Sequence, residues 1–212
     1  MKIARQRTVG NEVRQRASKD LANNLNLALI TIYTFLLFFC CFGDLGISMS
    51  DGFHAVCDFL SHTEETQLTA LFSRAGNSFN EAAPSSLGTI LSFFMKGIAK
   101  GLKGKESCDT KEMAAAMRLG LQNVMDKAGS RVGEKTILDA LEPAIRALED
   151  TQDDPWAAAA KAALDGSEAT RQMKAVWGRA AYYGEKSLGL LDGGSYVGAL
   201  IFKALKQTNM EV

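Results

Sequence analysis

Residues 173–195 read MKAVWGRAAYYGEKSLGLLDGGS, and the interpretation of the whole chain depends on them. Small residues around Arg179 predict a short helix that breaks at Gly184. The stretch ends in an Asp-Gly-Gly triplet at 192–194, where consecutive glycines can turn backbone N–H groups toward one anion. An arginine beside a glycine can hold a phosphate with two parallel hydrogen bonds. These residues therefore predict either an anion site or an ordinary helix C-terminus with a glycine cap.

The composition of the chain favours an all-α fold. The 212 residues have a mass of 22.9 kDa, which is enough for one domain with a sizeable core. Alanine is abundant, only three prolines are present, and stretches that alternate apolar and polar residues are scarce. Because 24 Lys and Arg balance 24 Asp and Glu, we expect no nucleic-acid partner recognised through bulk electrostatics.

The cysteines and histidines argue against several kinds of site. None of the four cysteines shows C-x-x-C spacing, which favours free thiols in a reducing compartment and so a cytoplasmic location. The two histidines, His54 and His62, match neither an H-E-x-x-H zinc site nor a Cys/His finger. Hydrolysis by a histidine-based triad has no local support in the sequence.

The first 42 residues form a region of their own. Residues 1–20 are basic, and residues 27–42, LALITIYTFLLFFCCF, contain no charge. Sixteen apolar residues are barely enough to cross a bilayer. Three interpretations stay open: a membrane anchor, a buried helix, or sequence foreign to the fold. We therefore expect a boundary between residues 1–42 and a helical domain over residues 43–212.

Two further stretches carry polar residues at predicted helix starts. Residues 43–49, GDLGISM, predict a glycine-rich acidic turn before a helix over 51–60, with Asp44 as a helix cap or a ligand. Residues 76–89, GNSFNEAAPSSLGT, end in another helix start, where free N–H groups would suit an anion as well as ordinary capping.

Residues 128–143, AGSRVGEKTILDALEP, predict a loop followed by a helix. Lys135 could neutralise phosphate charge, although a surface lysine is the simpler interpretation. Farther along, Asp154-Pro155 predicts a helix start. That alanine-rich helix is expected to stop at Gly166 and a new one to begin at Ser167.

The ordered motifs resemble one known family. The order G-R-A-x-Y-x-G-E-x-S-x-G-x-x-D-x-G, from Gly178 to Gly194, closely resembles the C-terminal signature of the nucleotide-binding L subunit of dihydroxyacetone kinases (the DhaL family). The family pattern G-D-K-T-x-x-D-x-x-x-P matches in register at Gly133, Lys135, Thr136, Asp139 and Pro143. The resemblance covers about residues 43–207 and implies an antiparallel barrel or bundle of about eight helices.

The resemblance also implies a site and a function. It implies a phosphotransferase subunit that binds ADP or ATP with Mg²⁺, works on dihydroxyacetone or another short ketose held by a K subunit, and receives phosphoryl groups from a phosphohistidine donor protein. Arg179 would be the catalytic residue, and Asp44 a metal ligand. The implied nucleotide contacts are Leu45, Gly46, Ser48, Ala82, Ala83, Ala128, Ile137, Arg179, Asp192, Gly193 and Gly194.

The sequence departs from the family at the metal loop. Leu37 and Phe42 stand where two metal-binding aspartates belong, and neither side chain offers an oxygen ligand. The metal site is therefore expected to be incomplete. Two other hypotheses remain beside the kinase subunit: a non-catalytic helical interaction protein, tethered to a membrane through residues 27–42, and a helical bundle that binds no nucleotide.

Overall fold

The computed structural model describes residues 43–210, and these residues fold into packed α-helices. The helices are α1 (Gly43–His62), α2 (Leu68–Ala82), α3 (Ser86–Gly101), α4 (Thr110–Ala128), α5 (Leu138–Asp150), α6 (Pro155–Ala169) and α7 (Gly193–Met210). Two 3-10 segments, Thr170–Gln172 and Arg179–Ser187, lie between α6 and α7. The three interpretations of residues 27–42 concern a part of the chain outside the described range.

Each helix packs on the next one along the chain, and most connections are short. Short connections between packed neighbours make successive helices antiparallel. α5 also contacts α7, which closes one side of the bundle. Within residues 43–210 the secondary structure is entirely helical, so the all-α prediction is confirmed.

One apolar core runs through all seven helices and holds the bundle together. Its fully buried large side chains are Phe79, Phe202, Met49, Leu91, Leu102, Leu121, Ile137, Leu138, Leu141, Ile145 and Leu148. Burying a side chain of this size contributes roughly 1.5–3 kcal/mol, so packing dominates over intrinsic helix propensity here.

Several helix starts follow the chemistry that the sequence indicates. Asp109 caps α4 in a complete capping box with Glu112. Asp154 caps α6, and Pro155 occupies its first turn. The Ser85 side chain accepts a hydrogen bond from the Gly88 N–H at 3.1 Å and so caps α3.

Gly166 does not end a helix, contrary to the sequence expectation. α6 continues through it to Ala169. A Cβ at Gly166 would lie 2.2 Å from the carbonyl oxygen of Asp139 and 2.8 Å from Cγ of Pro143. The glycine therefore lets α6 approach α5 closely, and tertiary packing overrides its helix-breaking tendency.

Two local predictions near the candidate site are also wrong. Residues 43–49 are the first turns of α1 and not a turn before it. Residues 173–178 are not helical, and the helical part of the stretch is the 3-10 segment Arg179–Ser187. The predicted break at Gly184 is confirmed, because this residue has φ 53° and ψ −124°.

Among residues 43–210, no helix combines the length and apolar character needed to span a membrane.

Candidate functional site

Three helices, α3, α5 and α7, begin at one end of the bundle, which we call the polar end; residues 170–192 and Asp44 of α1 belong to this end as well. A Cβ at Gly194, at the start of α7, would lie 3.5 Å from the backbone nitrogen of Ile137 and 3.8 Å from Cδ1 of Leu87. These two residues stand directly before α5 and in the first turn of α3. Helix N-termini present N–H groups and a partial positive charge, so this end suits an anionic ligand.

Residues 170–192, which we call the connecting segment, place Arg179 at the polar end. The guanidinium Nη1 of Arg179 lies 3.3 Å from a carboxylate oxygen of Asp44 at the start of α1. The side chains remain 78% and 82% exposed. The fold thus brings Arg179, the predicted catalytic residue, next to Asp44, the predicted metal ligand. Both charged groups are accessible to solvent.

The connecting segment is tied to the loop before α5 by Trp177. The indole Nε1 of Trp177 donates a hydrogen bond to the carboxylate of Glu134, and this bond lowers the pKa of Glu134. A Cβ at Gly129 would lie 3.8 Å from the Trp177 ring. Trp177 itself is 44% exposed, so it lies at the surface two residues from Arg179.

Lys135 is buried, so the interpretation of it as a surface lysine is wrong. Lys135 is only 3% exposed, and its backbone φ of 61° is unusual for a residue other than glycine. The ammonium donates hydrogen bonds to four backbone carbonyl oxygens of the connecting segment. The hydrogen-bonding capacity of the Lys135 ammonium is therefore taken up by the backbone of the protein itself.

Asp139 fixes the loop that carries Lys135. Its two carboxylate oxygens accept hydrogen bonds from the N–H groups of Gly133 and Thr136, the second at 2.7 Å. The side chain is buried at 3% exposure. Two residues of the G-x-K-T-x-x-D match therefore shape the backbone at the polar end.

Asp192 caps α7 from inside the polar end. One carboxylate oxygen accepts a hydrogen bond from the Ser195 N–H at 2.6 Å. Burial raises the pKa of Asp192 to about 6, and the negative charge of Asp139 adds to the rise. The Ser195 N–H and the Lys135 ammonium act in the opposite direction. The N–H of Gly194 also stabilises this carboxylate, so part of the glycine-rich end already has an acceptor within the chain.

The other predicted nucleotide contacts differ in how accessible they are. Ala83 and Ile137 are 0% and 1% exposed, so their side chains belong to the core and only their backbone could reach a ligand. Four predicted contacts are half-buried: Leu45, Ser48, Ala82 and Ala128. Gly46 and Gly193 are buried in α1 and at the start of α7.

The described residues do not complete a divalent cation site. Asp44 is the only predicted metal ligand in this range, and it forms an ion pair with Arg179. Residues 43–210 contain no cluster of three or more His, Cys, Asp or Glu side chains arranged to hold a metal. A Mg²⁺ ion normally needs several oxygen ligands, so Asp44 alone does not fit the ion.

A surface cavity of about 490 Å³ lies elsewhere, at the C-terminal end of α1. It is lined by Asp58, Phe59, His62, Thr63, Glu64, Glu65 and Arg74. Since a helix of 20 residues is about 30 Å long, this cavity is remote from Asp44. It shares no residue with the predicted site.

Comparison with known proteins identifies the family. The model of the DAK2 domain matches residues 43–207. The chain is 33% identical over 170 residues to the ADP-binding subunit DhaL of PEP-dependent dihydroxyacetone kinase 1 from Listeria innocua, covering 79% of this chain and 82% of that subunit. It is 30% identical over 171 residues to the L-erythrulose kinase of Pectobacterium atrosepticum, covering 77% of this chain and 29% of that enzyme.

The fold also matches a solved structure. The dihydroxyacetone kinase of C. freundii, crystallised with AMP-PNP and Mg²⁺, superimposes with a TM-score of 0.68 at 22% identity. The match covers 93% of this chain and 34% of that enzyme, so the chain corresponds to about a third of the larger kinase.

The polar end and the helical bundle thus define a kinase-type domain. The chain belongs to the DAK2-domain family, as a DhaL-like domain of the dihydroxyacetone-kinase type. The family and the fold expected from the sequence are both confirmed.

Proposed function

We propose that this chain is the nucleotide-binding subunit of a kinase for dihydroxyacetone or a related short ketose. It binds ADP or ATP at the polar end and serves the transfer of a phosphoryl group to a sugar held on a separate K subunit. The observation that carries the proposal is the position of Arg179, exposed at the polar end and 3.3 Å from Asp44 of α1. The DhaL relative from Listeria innocua, an ADP-binding subunit by name, supports the same function.

The polar end has the chemistry that phosphates require. Phosphoryl transfer depends mainly on positioning and on neutralising charge, with little covalent help from the protein. The N-termini of α3 and α7 offer partial positive charge, and Arg179 offers a full one. The hydroxyl of Ser130 is buried without a partner among the described residues, in the loop after Ala128. A polar group of a nucleotide in this loop would satisfy that hydroxyl.

Arg179 acts on the phosphoryl group in this proposal. A bound nucleotide supplies the phosphoryl group, whose bond to the leaving oxygen breaks as a hydroxyl oxygen of the sugar bonds to phosphorus. The guanidinium of Arg179 steadies the negative charge of the group during transfer. Asp192 orients the start of α7 through its cap, and Gly193 and Gly194 keep that end free of side chains.

The proposal also includes a metal cofactor and a phosphoryl donor protein. Mg²⁺ is a cofactor of the proposed reaction, but Asp44 is its single candidate ligand among residues 43–210, and no step here is assigned to the ion. A phosphohistidine protein is the proposed donor that recharges ADP, since the Listeria relative is part of a PEP-dependent enzyme.

Thermal unfolding of the full chain tests nucleotide binding. We expect ADP at a hundred times its dissociation constant to stabilise the fold by about 2.7 kcal/mol. For a domain of this size that corresponds to a rise in Tm of roughly 5–10 °C. Adenosine, which lacks phosphates, is the matched control ligand and should give a smaller rise. Each ligand is measured with Mg²⁺ and with a chelator.

The outcomes separate the proposed function from its alternatives. A rise with ADP that exceeds the rise with adenosine supports a phosphate site at the polar end. No rise with ADP or ATP, with or without Mg²⁺, contradicts the proposal and leaves a helical protein that binds no nucleotide.

A further inference from the structure

We propose that Lys135 is a positioning residue that fixes the connecting segment and thereby holds Arg179 over the polar end. The proposal rests on the proposed role of Arg179 in phosphoryl transfer. Lys135 touches neither the candidate ligand space nor Arg179 and acts through the backbone of residues 170–190.

The ammonium of Lys135 sits inside a cage of backbone oxygens. Its Nζ donates to the carbonyl oxygens of Thr170 at 2.9 Å, Met173 at 3.2 Å, Ser187 at 2.6 Å and Leu190 at 2.6 Å. Hydrogen bonds from a charged donor are stronger than neutral ones. No other side chain in the described structure contacts the connecting segment at four backbone positions.

The four oxygens come from the two ends of the connecting segment. Thr170 and Met173 lie at its beginning, and Ser187 and Leu190 lie near its end. One ammonium therefore clamps both ends of a loop whose middle carries Arg179. Because Arg179 is 78% exposed, its place is set by this backbone rather than by packing of its own side chain.

Several two-point ties join the same ends. Lys174 forms an ion pair with Glu185 at 2.7 Å, the Arg171 guanidinium donates to the carbonyl oxygen of Gly189 at 3.2 Å, and the Asp192 N–H donates to the hydroxyl of Thr170 at 3.1 Å. The N–H of Gly189 donates to the carbonyl oxygen of Arg171 at 2.8 Å. The N–H of Ala175 donates to the hydroxyl of Ser187 at 3.0 Å. These bonds surround the Lys135 cage but do not replace it, because each one joins only two points of the loop.

The backbone of Lys135 is itself held in an uncommon conformation. Its φ of 61° lies in the left-handed region, which a residue with a side chain occupies only when its surroundings impose it. The carboxylate of Asp139 imposes it by accepting the N–H groups on both sides, from Gly133 and Thr136. The loop before α5 is thus shaped to deliver an ammonium to the connecting segment.

Two substitutions of Lys135 remove its hydrogen bonds to the connecting segment to different extents. Lys135→Met keeps most of the apolar stem but leaves four carbonyl oxygens without their donor. Lys135→Gln keeps a shorter donor with two N–H groups and no charge. The matched control is Lys111→Met, at an exposed lysine in the first turn of α4.

Limited trypsin digestion of the full chain measures the order of the connecting segment. This segment contains its own cleavage sites at Arg171, Lys174, Arg179 and Lys186. We expect Lys135→Met to speed cleavage at these sites about tenfold or more, Lys135→Gln to give an intermediate rate, and Lys111→Met to match the wild type. Helix content by circular dichroism should stay unchanged, because the seven α-helices do not depend on the cage.

Steady-state kinetics in a double-mutant cycle tests whether the clamp acts through Arg179. Lys135→Met should lower kcat about tenfold or more while the dissociation constant of ADP changes less than about threefold. In an Arg179→Ala background the same substitution should lower kcat no further. A purely structural loss of folded protein would instead lower activity equally in both backgrounds.

Each outcome decides the proposal. Unchanged cleavage rates, or additive losses in the cycle, overturn it. Failure of both Lys135 variants to fold also overturns it, since Lys135 would then stabilise the whole domain. If Arg179→Ala is fully active, the proposed function of that residue is wrong, while faster cleavage would still establish the clamp.

Discussion

The guanidinium of Arg179 and the carboxylate of Asp44 meet at 3.3 Å across 135 positions of sequence. Both side chains are largely exposed, and exposed ion pairs contribute little to stability. The pair therefore marks where two functional charges meet and does not hold the fold together. Each charge remains available to a ligand that enters the polar end.

Replacement of Arg179 by alanine should abolish phosphoryl transfer without unfolding the protein. We expect kcat to fall by roughly 10²–10³-fold, as when one donor to a developing charge is removed. The free energy of unfolding should change by less than about 0.5 kcal/mol, as for other exposed sites. Coupled kinase assays and urea unfolding measure the two effects.

The matched control for that variant is Arg146→Ala on the exposed face of α5. It should keep both activity and stability. A fully active Arg179→Ala protein would remove Arg179 from the mechanism.

The cap of α3 can be tested with two neighbouring serines. Ser85→Ala removes the acceptor of the Gly88 N–H and should cost about 1 kcal/mol of stability. Ser86→Ala changes an exposed serine one position later and should stay within about 0.5 kcal/mol of wild type. Urea unfolding of both variants gives the comparison, and equal losses would show that Ser85 does not act as a cap.

Gly166→Ala should destabilise the fold even though alanine is the better helix former. The added Cβ meets the carbonyl oxygen of Asp139 at 2.2 Å, so α5 and α6 must move apart. Overpacking of this kind costs roughly 1–3 kcal/mol. Asp165→Ala, at the exposed neighbouring position, is the control and should have little effect. A stabilised Gly166→Ala protein would contradict the close helix contact.

The carboxyl of Asp192 predicts a specific dependence of stability on pH. Burial raises its pKa from 3.8 to about 6, so the folded state holds the proton more tightly than the unfolded state. Stability from this group is complete below about pH 4 and is lost as the pH rises through about 6. The loss is on the order of 2–3 kcal/mol.

Asp192→Asn isolates that contribution. The amide keeps an oxygen to cap α7 but does not titrate. We therefore expect the wild type to lose stability relative to Asp192→Asn between pH 4 and pH 7, measured by urea unfolding at each pH. Because the substituted side chain does not titrate, the difference reports the pKa of Asp192 together with the influence of Asp139 and Lys135 on it. Parallel curves would show that burial does not raise this pKa.

The sequence indicates the fold more completely than the site. Composition was sufficient for the all-α class, and the Asp154-Pro155 pair for the start of α6. Gly166 misled the interpretation because local sequence does not distinguish a glycine that ends a helix from one that admits a neighbouring helix. The turn predicted at residues 43–49 failed for a similar reason, since α1 contains its glycines.

The position of Lys135 could not be derived from local sequence. A lysine two positions after Gly133 is compatible with solvent, with phosphate or with a buried cage. Only tertiary structure brings four carbonyl oxygens to it, and only the bonds of Asp139 fix its left-handed backbone. The motif shared with the family can be found in the sequence, but the sequence does not show that its lysine donates hydrogen bonds to the backbone of the connecting segment.

The carbonyl cage has a consequence for the order in which the chain folds. Lys135 meets oxygens 35 to 55 positions later in the sequence, so the cage cannot close until α5 and α6 have packed. Contacts of such long range carry a large loop-closure cost and form late. The end of the bundle that carries Arg179 should therefore be the last part to acquire its structure. A nascent chain would have a helical body before it has a competent site.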